Sequence, residues 1–344
     1  MSADDDDELE IPPPRETTAL FGHAEAERAL LESYQSGRIP HAWLIGGPSG
    51  IGKATLAYRM ARFVLAHPDP AAADVQNAKS LAVDSEHPVA RRITAQSHGD
   101  LLVLERTLND KGKLRQDIAV DDVRRSVPFF GSTPGEGGWR VAIVDAVDEL
   151  NRAGANALLK VLEEPPPRAL LLLVSHAPGR ELPTIRSRCR RMILRPLSVE
   201  DVACAAAIAS GRDANDPELQ EATAAADGSV ARALSLLDGP ALALRQRVLE
   251  LLAKLPDVDQ RALHALGDAL GGTEPRTLAA FMDIVNAWLS DRLDRGPQET
   301  RQLARVAQAW EKVNRTAREV EIYNLERKPL VFSVFGLLAE AARK

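Results

Sequence analysis

The chain is poor in cysteine, in aromatic residues and in long apolar runs. Only Cys189 and Cys204 occur among its 344 residues. Two cysteines build neither a disulfide framework nor a four-cysteine zinc site. Aromatic residues make up 4%, so Leu, Val, Ile and Ala must carry the packing. No run of roughly 18 uncharged apolar residues occurs, so no membrane span is expected. The start, Met1-Ser2-Ala3 followed by Asp4 to Asp7, lacks the basic and then apolar stretch of a secretory signal. The expected location is the cytoplasm. Basic residues are also in deficit: 43 Lys and Arg face 49 Asp and Glu, a formal net charge of −6. Such a chain does not coat nucleic acid unaided, although a local basic patch still could touch it.

What is present is an ordinary globular composition, 45% apolar and 27% charged. At roughly 150 residues per domain, the length suggests two or three domains. Residues 1–16 are acidic and then proline-rich (Pro12, Pro13, Pro14) and read as a disordered, solvated tail. From Leu20 onward, helical patterns alternate with short apolar runs. Trp43 to Gly46, Leu101 to Leu104, Val141 to Val144 and Leu170 to Val174 read as buried strands, with Met192 to Leu194 as a fifth. Strands that are apolar throughout belong to a parallel sheet covered by helices on both faces. The fold class is therefore α/β, doubly wound, with a parallel sheet.

Residues 68–98 read as an inserted stretch of helix and loop. His67, His87 and His98 flank or lie in it, with no i, i+4 pair and no cysteine beside them, so they read as surface histidines rather than metal ligands. After Leu197 the strand signal stops. Ser198 with Asp201 resembles a capping box, and Asp238-Gly239-Pro240 punctuates. The remainder is helical. Leu278, Phe281, Met282, Val285 and Leu289 share one face, as do Leu303, Val306, Trp310 and Val313. These stripes suit a bundle core or an oligomer interface.

The segment Gly47-Pro48-Ser49-Gly50-Ile51-Gly52-Lys53 follows the first strand, opens a helix and matches G-x-x-x-x-G-K. Its glycines let backbone N–H groups face a polyphosphate, the helix start adds partial positive charge, and Lys53 can reach the outer phosphates. The next position should carry a hydroxyl to ligate Mg²⁺. Here it is Ala54, and Thr55 lies about 100° further round the helix. Asp145, at the end of the third strand, stands where a Walker B aspartate belongs, near the loop on the neighbouring strand. Ala146 follows it, and Asp148 and Glu149 read as helix-start carboxylates. The site is therefore expected to bind nucleotide, if at all, without turning it over.

The basic segment Arg186-Ser187-Arg188-Cys189-Arg190-Arg191 is either a solvated or phosphate-touching cluster or the seat of an arginine that acts on another subunit. Arg124, Arg125 and Arg152 are either simply solvated or DNA contacts.

Several segments carry a resemblance. They are Phe21-Gly22-His23, His41 to Leu44, Gly47 to Thr55, His98 to Leu101, Val144 to Ala146, the run from Asn156 to Pro166 (Asn-Ala-Leu-Leu-Lys-Val-Leu-Glu-Glu-Pro-Pro) and Ser187-Arg188-Cys189. Over residues about 20–240 the chain resembles the delta-prime family of bacterial DNA polymerase III clamp-loader subunits, a branch of the AAA+ group. The resemblance implies a RecA-like AAA+ nucleotide-binding domain (17–196), a small helical lid (197–238) and a helical collar (241–344) for pentamer assembly. It implies a stator role in loading the sliding clamp onto primed DNA, as part of the DNA polymerase III holoenzyme and with no intrinsic ATPase. The implied partners are the delta and gamma/tau ATPase subunits of a hetero-pentamer, the clamp and primer–template DNA. The nucleotide would be ATP or ADP with Mg²⁺, held by Gly47, Gly50, Gly52, Lys53, Ala54, Thr55 and Asp145, with Ser175 in the sensor-1 position. Arg188 would be an arginine finger acting in trans, worth roughly a thousandfold or more in rate. Many members carry a four-cysteine zinc module in the stretch corresponding to 68–98; this chain has no cysteine there, so no zinc is expected. Ala231 stands where motor subunits place a sensor-2 arginine, and Arg232 comes one residue late. The alternative is an active AAA+ motor subunit of a clamp loader.

Overall fold

A computed structural model describes residues 12–109, 114–135, 138–177, 183–237, 241–271, 275–294, 300–323 and 325–343. The chain forms two compact units, residues 9–234 and 235–344.

In the first unit the strands are β1 (Ala42–Gly46), β2 (Leu101–Glu105), β3 (Arg140–Asp145), β4 (Ala169–Ser175) and β5 (Arg190–Ile193), ordered β2-β3-β4-β1-β5 and parallel throughout. β1 to β4 match the buried apolar runs expected to be strands; β5 overlaps the fifth run but is not buried as expected, since it is an edge strand that begins with exposed Arg190 and Arg191 and leaves Ile193 53% exposed. The helices are α1 (Ala24–Gln35), α2 (Lys53–Ala66), α3 (Ala73–Asn77), α4 (Pro88–Thr94), α5 (Val120–Arg124), α6 (Ser126–Gly131), α7 (Arg152–Glu163), α8 (Pro183–Arg186), α9 (Val199–Ser210), α10 (Pro217–Ala224) and α11 (Val230–Leu237). The α/β class with a parallel sheet and a helical C-terminal part is the one found.

Alternate residues of each strand point to opposite faces, and both faces are covered. Trp43, Ile45, Ile143, Leu170 and Leu172 pack in one core with side chains of α1, α2 and α4. Leu44, Leu102, Ala142, Leu171 and Leu173 pack in another with side chains of α5, α6 and α7. That double burial is why β1 to β4 carry polar residues only at their ends.

The strand order corrects one expectation. β3 is not the neighbour of β1; β4 lies between them, so Ser175 pairs with Gly46, and Asp145 with Val174. Parallel strands need crossover connections, and these leave sequence order and sheet order independent. The tail expectation is also corrected in part. Residues 12–16 form a turn, with the Glu16 N–H donating to the Pro13 carbonyl at 2.9 Å. The Arg62 guanidinium, itself 2% exposed, donates to the Arg15 carbonyl. Residues 1–11 lie outside the described residues.

Within 68–98, α3 and α4 are the expected helix and loop. The surface placement of the histidines does not hold. His98 is buried, and His67 and His87 are half-buried with ring centroids 6.5 Å apart, His67 also lying against Phe63. Among the described residues no His, Cys, Asp or Glu group is placed to hold a metal ion.

The second unit is built from α12 (Ala241–Ala253), α13 (Gln260–Leu270), α14 (Pro275–Asp294), α15 (Thr300–Tyr323) and α16 (Arg327–Ala342). Its core contains Leu278, Phe281, Val285, Leu289, Val306 and Val313, with Met282 and Trp310 packed against it. The stripes read from the sequence therefore face a bundle core; the side chain of Leu303 lies outside the described residues. No described helix is long and apolar enough to cross a membrane.

Candidate functional site

A parallel sheet ends all its strands at one edge, and ligands of such sheets bind there. Gly46, Asp145 and Ser175 are the terminal residues of their strands on that edge. The loop from Gly47 to Gly52 leaves β1 and enters α2 at Lys53. Its three glycines have φ of +150°, +74° and +94° at 47, 50 and 52, values that L side chains rarely adopt. Space is equally restrictive. A Cβ at Gly47 would lie 2.6 Å from the Leu194 carbonyl oxygen, and one at Gly50 would meet the Ser229 hydroxyl and stand 2.7 Å from the Ala231 Cβ.

Two contacts brace the loop. His23 is 6% exposed, and its Nε2–H donates to the Ile51 carbonyl at 2.7 Å. Burial, the largest effect, holds His23 below the usual histidine range, which suits a neutral ring in this role. On the other side, the Gly50 carbonyl accepts the N–H groups of Val230 at 2.9 Å and Ala231 at 3.3 Å. The start of α11 is thereby fastened to the loop.

A cavity of about 440 Å³ opens beside the loop, within the usual size range for small-molecule sites. Gly50, Gly52, Lys53, Ala54, Thr55 and Asp145 line its polar end, with His176. Leu20, Phe21, Leu197, Ile208, Val230 and Leu234 supply apolar wall. Pro12, Pro14 and Glu16, expected to be disordered, line it as well.

Lys53 is 3% exposed, and its ammonium donates to the Pro48 carbonyl. Burial pushes it down to about 8, against the pull of Asp145 and Asp148. Asp145 is pushed up to about 6, by burial first and then by Glu105 and Glu149, with Lys53 and Arg106 opposing. Glu105 is the register partner of Asp145 on β2. Lys53 and Asp145 thus line one cavity as a cation and a carboxylate that burial shifts toward each other in pKa, a pattern common at functional sites.

Ser175 is fully buried, and its hydroxyl donates to Asp148 Oδ1 at 3.0 Å; the other Asp148 oxygen accepts the His176 N–H. Asp148 and Glu149 therefore do not open the following long helix, which Asn151 caps by accepting the Gly154 N–H at 2.9 Å. They lie in one turn of 3-10 helix, and Glu149 pairs with Arg106 at 2.8 Å. Ala146 is fully buried and offers no polar group. Arg232 turns away to Asp227, 2.6 Å distant, leaving Ala231 on the cavity wall. Ser198 caps α9, its Oγ accepting the Asp201 N–H at 3.1 Å.

Arg188 lies apart from this cavity lining, beyond α8. Its guanidinium is 2.9 Å from Glu163 at the end of α7. Arg124 and Arg125 pair with Asp121 and Asp122, and Arg152 is exposed. The sequence reading missed His23, the Asp148–Ser175 bond and Glu163. His23 and Glu163 lay inside segments that carried the resemblance, without a role.

The arrangement can hold a polyphosphate: curled backbone, a helix start, one buried ammonium and an apolar recess. Ala54 has no hydroxyl to give a divalent cation, while Asp145 stands at the same end with Glu105 and Glu149 close enough to raise it.

Residues 22–198 match the family model described as DNA polymerase III, delta subunit. The chain is 41% identical over 149 residues to the DNA polymerase III subunit delta' of Pseudomonas aeruginosa, covering 43% of this chain and 41% of that protein. It is 34% identical over 167 residues to the delta' subunit of Escherichia coli, covering 48% and 46%. To the subunit tau of Salmonella typhimurium it is 30% identical over 267 residues, covering 75% and 39%. The chain thus aligns with less than half the length of each of these relatives. With the family model spanning more than half of its residues, the chain belongs to the DNA polymerase III delta subunit family.

Proposed function

We propose that the chain is a delta-prime, or stator, subunit of a clamp loader: it helps load a sliding clamp onto primed DNA, does not hydrolyse ATP itself, and donates Arg188 to a neighbouring subunit's ATP site. The partners under this reading are delta and gamma/tau ATPase subunits in a hetero-pentamer, the clamp and primer–template DNA. The three-part division into nucleotide domain (17–196), lid (197–238) and collar (241–344) belongs to the same reading.

One observation supports it. The Gly47–Gly52 loop keeps the positive-φ glycines, and α2 the buried Lys53, that a polyphosphate cradle needs, while alanines stand at three positions where this reading requires reacting groups in a motor subunit: Ala54, Ala146 and Ala231. ATP or ADP would rest on the Gly47–Gly52 loop and Lys53, with Thr55 and Asp145 at the same end; Ser175, fully buried and outside the cavity lining, would act only through its bond to Asp148. Nucleotide held there would serve the architecture. Arg188 suits the trans role because a planar, always-charged guanidinium matches the spread charge of a phosphoryl group better than an ammonium.

The test uses the assembled loader. Arg188→Ala should slow hydrolysis at the neighbouring site by a hundredfold or more, on the scale of ~10³ for such a group, and so lower the loader's DNA-stimulated ATP turnover by at least that site's share, without preventing assembly. Full turnover after that change would refute the trans role. The motor-subunit alternative draws support from the match to tau over 75% of this chain. It requires some other group to replace what Ala54 and Ala146 lack.

A further inference from the structure

The run Asn156 to Pro166 places Glu163 on the last turn of α7, a helix held by its buried Ala155, Leu158, Val161 and Leu162. The His41 ring contacts the Leu162 carbonyl at 3.2 Å, which adds a tie at that end. Glu163 is thus an exposed carboxylate on a rigid support. Arg188 Nη2 lies 2.9 Å from Glu163 Oε1. Arg188 Nη1 donates to the Thr184 carbonyl at 2.9 Å and to Ser187 Oγ at 3.3 Å.

The Nη1–Nη2 end of a guanidinium carries parallel N–H groups that grip a phosphate as a fork. In this structure its own chain engages both nitrogens of that end. A neighbour's phosphate seeking a two-point grip there must displace Glu163. The displacement is feasible, since side-chain exposures of 34% for Arg188 and 50% for Glu163 make this a weak, screened pair. A phosphate with two negative charges competes well against one carboxylate.

We propose that Glu163 is a latch on Arg188, a positioning residue that keeps the guanidinium on its own chain until a neighbouring subunit's phosphate is presented closely enough to draw it away. This rests on the reading of Arg188 as a trans-acting arginine. Glu163 touches no reacting atom; its effect is to raise the threshold for engagement.

The experiment compares loaders assembled with the full chain carrying Glu163→Gln, Glu163→Asp, Arg188→Ala or both Glu163→Gln and Arg188→Ala. ATP turnover is measured with and without primed DNA. The latch predicts that Glu163→Gln raises DNA-independent turnover about two- to fivefold, the scale of an exposed ion pair, and changes the DNA-stimulated rate less than twofold. Glu163→Asp, which keeps the charge, should stay nearer the wild type, and the double variant should match Arg188→Ala. A fall or no change in DNA-independent turnover with Glu163→Gln, while Arg188→Ala still lowers turnover, overturns the latch and leaves the trans role standing. Full turnover with Arg188→Ala overturns both. Nitrogen NMR of the arginine side chains in the isolated full chain gives a separate readout: rotation of the Arg188 Nη groups should be slowed in the wild type and freed by Glu163→Gln. Equal rotation in the two overturns the latch by itself.

Discussion

The Gly50 carbonyl accepts the Val230 N–H at 2.9 Å, so the tip of the phosphate loop and the first residue of α11 are one hydrogen-bonded piece. An ordinary side chain is excluded on the Gly50 side of that bond. Gly50 has φ of +74°, and a Cβ there would collide with Ser229 and Ala231. Gly50→Ala should therefore destabilise the first unit by about 2–4 kcal/mol, from backbone strain and overpacking together. Chemical denaturation of the variant checks this. An unchanged midpoint would mean that the loop and α11 are not fastened as described.

Asp145 gives a pH-dependent stability with a definite sign. Its carboxyl is pushed up to about 6 in the folded chain, against about 3.9 when unfolded. Between those values the unfolded chain holds fewer protons, so stability falls as pH rises from about 4 to about 6. Above that range the cost of the buried charge is complete. Asp145→Asn should raise stability at pH 7 by about 1–2 kcal/mol, allowing for the lost attraction to Lys53, and should change little below pH ~4. Denaturation midpoints at pH 4 and pH 7 supply the comparison.

Lys53 sets the opposite end of the range for ligand binding. Burial lowers it to about 8, so the free chain loses the ammonium as pH rises through that value. A polyphosphate favours the charged form, and its affinity should fall above pH ~8, by up to about tenfold per pH unit until the complex itself deprotonates. Calorimetric titration with ADP from pH 7 to pH 9.5 measures the fall. Lys53→Ala should bind weakly and with a flat profile.

Ala54 predicts an indifference to metal. Without the hydroxyl, ATP affinity should differ less than about threefold between Mg²⁺ and chelator, while Ala54→Thr should make binding depend on Mg²⁺. Equal Mg²⁺ dependence in the two proteins would show that another group holds the cation.

The strands were legible because burial on both faces writes itself as uninterrupted apolar sequence, and the phosphate loop because its glycines are demanded by backbone geometry. Ser198 was legible as a cap because capping is a contact three residues long. What escaped were relationships between distant residues. Nothing in the chain order says that β4 separates β1 from β3, since crossovers leave neighbour choice open. The burial of His98 and the seating of residues 12–16 against the cavity depend on partners far along the chain. The pairing of Glu163 with Arg188 joins two motifs that were each recognised but read separately.

Steady-state ATP turnover by the purified chain alone, beside Lys53→Ala, bears most directly on the central claim. A site with its cradle intact and alanines at 54, 146 and 231 should release phosphate no faster than the lysine variant. Brisk release that disappears on Asp145→Asn would contradict it and make this chain a motor in its own right.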